Sequence, residues 1–467
     1  MKFVNLTPFG ALAYRGIDAH DRGHHVFAMR TVYRLRRANA HLQLPQDWFD
    51  AELIDEDAPG LITEDSFVSD AGRSSTLAES DLVPFKPRCD VLVTGQAHAP
   101  GGRLAKSWVS RLRLCLPQLD TDPARRNHVP PLRADDDPDF DQRVAWQMQA
   151  DHARREHPAP PGPNGELAWQ VVLDKRLRVH GPRHFVRGAL GRWTLGSAHP
   201  VAAVPLRYEH AWGGASVVPN PEHPRDTSAP EHLLNEVCYS NPLGCGWLHA
   251  GYFKALKRAH LPLPHALPAP QFEYPDDPVR HLEQVEQAPG LDVAHMAEVC
   301  ARQARRPAGL GPLGRPWTPR IQQAGTYDKT WLEQHWPNLP RDFDMRYWNC
   351  APADQQIAYP RPDFLLELGH LIDPALAPTG QAVVPMPGHR AAVLLHLKSG
   401  LMMQTECVID TVHVDTDAMT VALVWRASVS DALGIERAEA RFEIDPGKPL
   451  ITLTPTRSEP SEVMAHG

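Results

Sequence analysis

Little in this chain points directly to a reaction. It contains no G-x-S-x-G elbow, no G-K-[ST] phosphate loop and no H-E-x-x-H helix, so the common nucleophile, nucleotide and zinc-protease signatures are missing. Its seven cysteines are an odd number and form no C-x-x-C pair, which argues against a disulfide framework and suits a reducing compartment. No run approaches the roughly 18 apolar residues of a membrane helix. The opening MKFVNLTPFGALAYRG lacks the apolar core of a signal peptide, so a cytoplasmic location without membrane insertion is the expectation. Positive charge is not in excess either. At a formal net charge of −8 the chain lacks the basic footprint of a nucleic-acid binder.

Proline is what the chain has in quantity. Its 47 prolines in 467 residues are about twice the usual share, and proline interrupts helices and central strands. The expected fold class is therefore mainly β, an α+β chain with few short helices. Its antiparallel, sandwich-like sheets would be joined by long proline-rich loops. Composition and patterning divide the chain into four regions. Residues 1–120 form an N-terminal β region, and 121–165 a surface insertion rich in Pro, Asp and Arg. Residues 166–360 complete the same body, and 361–467 are an all-β C-terminal region.

Residues 24–35 alternate, with Phe27, Met29, Thr31, Tyr33 and Leu35 on one, mostly apolar face, which predicts a half-buried strand. A short strand is expected at 41–44, followed by an acid-rich loop over 47–65. Residues 89–97 and 105–116 read as two strands of a hairpin about Pro100-Gly101-Gly102. Further strands are expected at 167–179, 183–186, 391–397, 401–409, 411–414, 419–427 and 439–444. Short helices are expected at 140–152 and 292–306, and a two-turn helix capped by Asp328 should end before Pro337.

Aromatics are only 7% of the chain, yet residues 316–356 hold Trp317, Trp331, Trp336 and Trp348 with Tyr327, Phe343 and Tyr347. Such density marks a packed core or an interface, because aromatic rings dominate both. This hub also carries Asp328, Asp342, Asp344 and Asp354. Asp342 and Asp344 flank Phe343, so on an extended chain they share a face, where carboxylates can hold a metal or act as acid and base. The blander reading has them capping turns or pairing with Arg341, Arg346 or Arg320. Gly309-x-Gly311-x-x-Gly314 matches a dinucleotide fingerprint in form only. A helix precedes it instead of a strand, and Pro312 and Pro316 block a following helix. No histidine spacing matches a zinc module. No cofactor and no metal are expected.

The ordered set of motifs resembles one bacterial family, domain of unknown function 2169, found with type VI secretion systems. The resemblance rests on Asn5-Leu6-Thr7-Pro8-Phe9, Glu79-Ser80-Asp81-Leu82, Lys86-Pro87 and Asp90-Val91-Leu92-Val93-Thr94-Gly95. It continues through Pro205-Leu206-Arg207-Tyr208-Glu209, Trp212-Gly213-Gly214, Asn241-Pro242 with Gly244, and the hub. There Gly325-Thr326-Tyr327-Asp328, Trp331, Asp342-Phe343-Asp344 and Ala351-Pro352-Ala353-Asp354-Gln355-Gln356 carry it. Two segments depart from the family pattern, Gly181-Pro182-Arg183-His184-Phe185 and the stretch around Gln271-Phe272-Glu273. The resemblance implies an adaptor-chaperone that holds a toxic effector and helps load it onto the secretion spike, so the implied partners are an effector and a spike protein. Trp317 joins the family-typical positions as a candidate contact or structural residue. Two other classes stay open: a metal- or carboxylate-dependent hydrolase or lyase centred on 328–356, and a structural component of the spike.

Overall fold

Apolar alternation builds the central strand, Gly23–Arg37. Phe27, Met29, Tyr33 and Leu35 point into the main core, while Val26, Ala28, Arg30 and Val32 lie on the opposite face and are buried too. The strand is therefore covered on both sides rather than one. The chain around residues 81–88 crosses the second face, where Tyr14 donates to the Val83 carbonyl at 2.6 Å and Arg30 pairs with Asp81 at 3.2 Å. The computed structural model describes residues 1–38, 46–55, 58–118, 169–219, 233–285 and 305–444. The helix expected at 140–152, the strand at 41–44 and the insertion at 121–165 lie outside them, as does all of the helix expected at 292–306 but its last two residues, which are not helical.

The protein is mainly β. Its largest sheet has twelve strands. From one edge they run Phe272–Glu273, Trp169–His180, Ser107–Pro117, Leu365–Gly369, Gln381–Pro385, Asp47–Ile54, Gly23–Arg37, Thr420–Ser430, Val408–Asp415, Cys89–Thr94 and Gln356–Ile357, with Ala11–Ile17 branching onto Gly23–Arg37. A four-stranded sheet (Lys2–Asn5, Ile435–Glu443, Arg390–Leu397, Met402–Glu406) packs on it. The two share one core, in which Phe442 meets Phe9 and Trp425 edge-on. Each fully buried aromatic or large aliphatic side chain there contributes about 1.5–3 kcal/mol. Most pairings are antiparallel, but Cys89–Thr94 runs parallel to Val408–Asp415, and Lys2–Asn5 parallel to Ile435–Glu443.

Three local expectations are corrected. Residues 47–54 form a strand, not a loop. Asp47 and Phe49 turn inward, with Asp47 paired to Arg37, while Asp50 and Glu52 point outward and Glu52 pairs with Arg36, so the acids fall on both faces of a strand. The strands at 89–94 and 107–117 are not a hairpin. Cys89–Thr94 is buried along its whole length and takes partners on both edges from residues beyond 350, while Ser107–Pro117 pairs with Trp169–His180 and Leu365–Gly369. The stretch 401–409 breaks at Cys407, and the two halves join different sheets.

Candidate interaction surface

The hub is bolted to the central sheet by groups buried between them. Asp90, on the fully buried strand Cys89–Thr94, accepts hydrogen bonds from the Lys86 ammonium (2.9 Å), the Asn349 amide (3.0 Å) and the backbone N–H groups of Cys350 (3.0 Å) and Ala351 (3.2 Å). Burial alone would lower the Lys86 pKa, but the Asp90 carboxylate beside it holds it above the ordinary value. The Lys86 ammonium also reaches the Thr411 hydroxyl at 2.9 Å. Gln355, with no exposed surface, donates to the carbonyls of Val91 (2.6 Å) and Leu310 (2.9 Å) and accepts from Lys175 at 2.7 Å. Asp354 completes the arrangement with a 2.8 Å pair to the Lys175 ammonium. Burial pulls the Lys175 pKa down to about 8, partly opposed by Asp354.

A second fastening explains the glycines. Gly213 and Gly214 have φ of 145° and 131°, a region that favours glycine. A Cβ on Gly213 would stand 2.1 Å from the Asn241 carbonyl oxygen, and one on Gly244 2.5 Å from the Ala211 carbonyl oxygen. The Asn241 side chain donates to the carbonyls of Tyr208 (2.9 Å) and Trp212 (3.0 Å), and its own oxygen accepts from the Leu243 N–H at 3.2 Å. Trp212-Gly213-Gly214 and Asn241-Pro242-Leu243-Gly244 are thus two halves of one backbone clasp. Trp212 enters a side core with Phe185 and Trp247. Trp317 meets Tyr208 edge-on at 5.2 Å. Beside it the buried Arg320 pairs with Glu79 and donates to the carbonyls of Leu313 and Tyr347.

The other half of the hub faces outward. Asp328 caps the helix Lys329–Gln334 by accepting from the Trp331 N–H at 2.8 Å. Trp331 donates its indole N–H to the Asn338 carbonyl at 2.9 Å, and its ring stands edge-on to Tyr327 and Trp336 at 4.7 and 5.9 Å. Tyr327 is 52% exposed, Leu332 59% and Trp336 65%. Asp342 and Asp344 have separate partners. Asp342 accepts from the N–H and hydroxyl of Thr326, and both bonds lower its pKa. Asp344 caps the turn Met345–Trp348 and pairs with Arg346, the chief cause of its lowered pKa. Among the described residues no three His, Cys, Asp or Glu side chains cluster to hold a metal.

Sequence reasoning missed the buried ion networks. Arg426 pairs with Asp410 and donates to the carbonyls of Asp81 and Val83. Glu273 accepts from His180 (2.8 Å), Arg183 (2.8 Å) and the Val279 N–H (3.0 Å). Burial pushes the Glu273 pKa up, but these donors outweigh it and bring it to about 2. The two segments that depart from the family pattern therefore meet at this carboxylate. The readable signal was a lone charge inside an apolar strand: Asp90 in CDVLVT, Asp410 in VIDTV, Arg426 in VALVWRA. A charge so placed has to be paired.

Fold and surface together define a mainly-β protein whose loop hub is fixed at its base and presents rings at its rim. The chain belongs to the bacterial family described as uncharacterized protein conserved in bacteria (DUF2169), which matches residues 21–120 and 161–426. No curated protein and no solved structure matched the chain.

Proposed function

We propose that this protein is an effector adaptor of a type VI secretion system. It holds a toxic effector in the cytoplasm of the producing cell and hands it to the spike. The observation that carries this reading is the outward group of Leu332, on a capped helix, with Tyr327 and Trp336 flanking that helix. Large exposed rings are the residue class that anchors protein interfaces, and a contiguous exposed apolar patch marks an interaction site. The family resemblance supplies the kind of partner. Asp328, Asp342, Asp344 and Asp354 are each engaged by a turn cap, by Thr326 or by an ion pair, which favours a binding role over a reaction centred on them.

The test is co-expression with the toxin encoded beside the gene, then with the spike protein, followed by size-exclusion chromatography. Co-elution that is lost in Trp336→Ala supports the reading. Separate elution from both proteins refutes it.

A further inference from the structure

A cavity of about 280 Å³ opens where the hub meets the sheet. Arg88, Arg320 and Arg346 line it, and no carboxylate does. That is an unusual wall in a chain of net charge −8. The three guanidinium groups differ in what they have left to offer. Arg320 is buried and saturated by Glu79 and three donations to carbonyls. Arg346 is exposed and spends one edge on Asp344, at 2.8 and 2.5 Å. Arg88 is exposed and donates only its Nε, to the Gln356 carbonyl at 3.0 Å. Among the described residues it has no carboxylate partner. The remaining wall is mixed: Leu313, Pro319, Ala351 and Ala353 are apolar, and Gln323, Asn349 and Gln356 are neutral amides.

We propose that this cavity binds a carboxylate carried by a polypeptide, with the terminal nitrogens of Arg88 gripping the anion and Arg346 adding a second charge. A guanidinium edge matches a carboxylate in a two-bond fork. One unpaired fork suits a singly charged carboxylate better than a phosphate dianion, which would call for further free donors. The apolar part of the wall suits the short aliphatic stem that carries the group, and the neutral amides add no competing charge. The volume fits one residue rather than a drug-sized ligand. The carboxylate comes from an acidic side chain or from a chain terminus. The inference deepens the adaptor reading, on which it rests only for where the carboxylate comes from.

The experiment is calorimetric titration of the full chain, with no partner protein present, using three tripeptide probes and inorganic phosphate. Acetyl-Gly-Ala-Glu-amide offers a side-chain carboxylate, acetyl-Gly-Ala-Ala a terminal one, and acetyl-Gly-Ala-Gln-amide none. One acidic probe is expected to saturate at about millimolar concentration or below, and to weaken about tenfold in Arg88→Gln. Its binding should also fall as salt screens the charge. Ala353→Leu, at an exposed position on the cavity wall, should block the same probe. The inference is overturned if neither acidic probe saturates, if the Gln probe binds as well, if phosphate binds more tightly, or if Arg88→Gln changes nothing. Peptide binding without effector or spike co-elution would sink the adaptor reading alone. Co-elution without peptide binding would sink this inference alone.

Discussion

The Asp90 carboxylate should be the costliest single polar group to alter, and the structure allows the cost to be worked out. Asp90→Asn keeps the shape and removes the charge. The Lys86 ammonium is then left buried with only the Thr411 hydroxyl as a close partner, and breaking a buried pair from one side costs about 3–5 kcal/mol. The amide also offers one acceptor where the carboxylate offered two. One of the donors now satisfied, Asn349 or the N–H groups of Cys350 and Ala351, loses its partner at about 1–3 kcal/mol. The sum, about 4–8 kcal/mol before relaxation, is a large fraction of the roughly 5–15 kcal/mol that a folded chain has in total.

Urea unfolding followed by tryptophan fluorescence measures it, since four indoles sit in the hub. The decisive comparison is the double variant. Lys86→Met alone leaves Asp90 with its other donors, and added to Asp90→Asn it removes the stranded ammonium. The pair should therefore be more stable than the sum of the single losses by about 2–3 kcal/mol. Asp90→Asn within about 1 kcal/mol of the parent, or strict additivity with Lys86→Met, would show that the hub is not held this way.

Three other outcomes follow from the same geometry. Glu273 carries a pKa of about 2 in the folded chain against an ordinary 4.5, so between those values the unfolded chain holds a proton that the folded one does not. The resulting stability, about 3 kcal/mol, is complete above pH 4.5 and lost as pH falls through 2; acid titration of the unfolding midpoint should show this slope, and Glu273→Gln should flatten it. Gly213→Ala meets a carbonyl at 2.1 Å with φ at 145° and should cost about 2–4 kcal/mol by thermal melt, whereas a change below about 0.5 kcal/mol would refute the clasp. Trp336→Ala should leave the unfolding midpoint within about 0.5 kcal/mol while weakening effector capture at least tenfold, about 1.4 kcal/mol.

What could be read beforehand divides along physical lines. Strands with clean alternation or a continuous apolar run, such as those expected at 24–35, 105–116 and 419–427, were legible because side-chain direction has period two. The Asp328 cap was legible because it is local. Partnership between strands was not. Cys89–Thr94 finds Val408–Asp415, more than 300 positions away, and nothing in either segment names the other. Residues 47–54 misled because acids were weighed by number, although Asp47 and Glu52 are each paired with an arginine of the neighbouring strand. The Gly213-Gly214 and Asn241-Pro242 segments were each visible as turns. Their meeting, which is the reason for both, appears only in three dimensions. In the hub, the density of rings was visible but its division was not. Trp317 and Phe343 are core, and Tyr327 and Trp336 are surface.

That division bears on which residues could recognise a partner. The polar groups among the family-typical residues are occupied internally. Asn241 makes three bonds to nearby backbone, Gln355 makes two to the sheet and one to the Leu310 carbonyl, and Asp328, Asp342 and Asp354 are held by a cap, by Thr326 and by Lys175 respectively. A hydrogen-bonding group already satisfied gains little by exchanging partners, so these residues fix the shape of the hub instead of reading a ligand. What remains free on the outward side is aromatic and aliphatic surface. Because Trp331 is pinned by its indole N–H and stands edge-on to both neighbours, the exposed rings of Tyr327 and Trp336 are already ordered before any partner arrives. Ordering interface side chains in advance removes a cost that association otherwise carries, about 0.5–1.5 kcal/mol per side chain. A rigid base and a pre-ordered apolar rim are what the proposed adaptor role would call for, since such a protein would hold its cargo without reshaping itself.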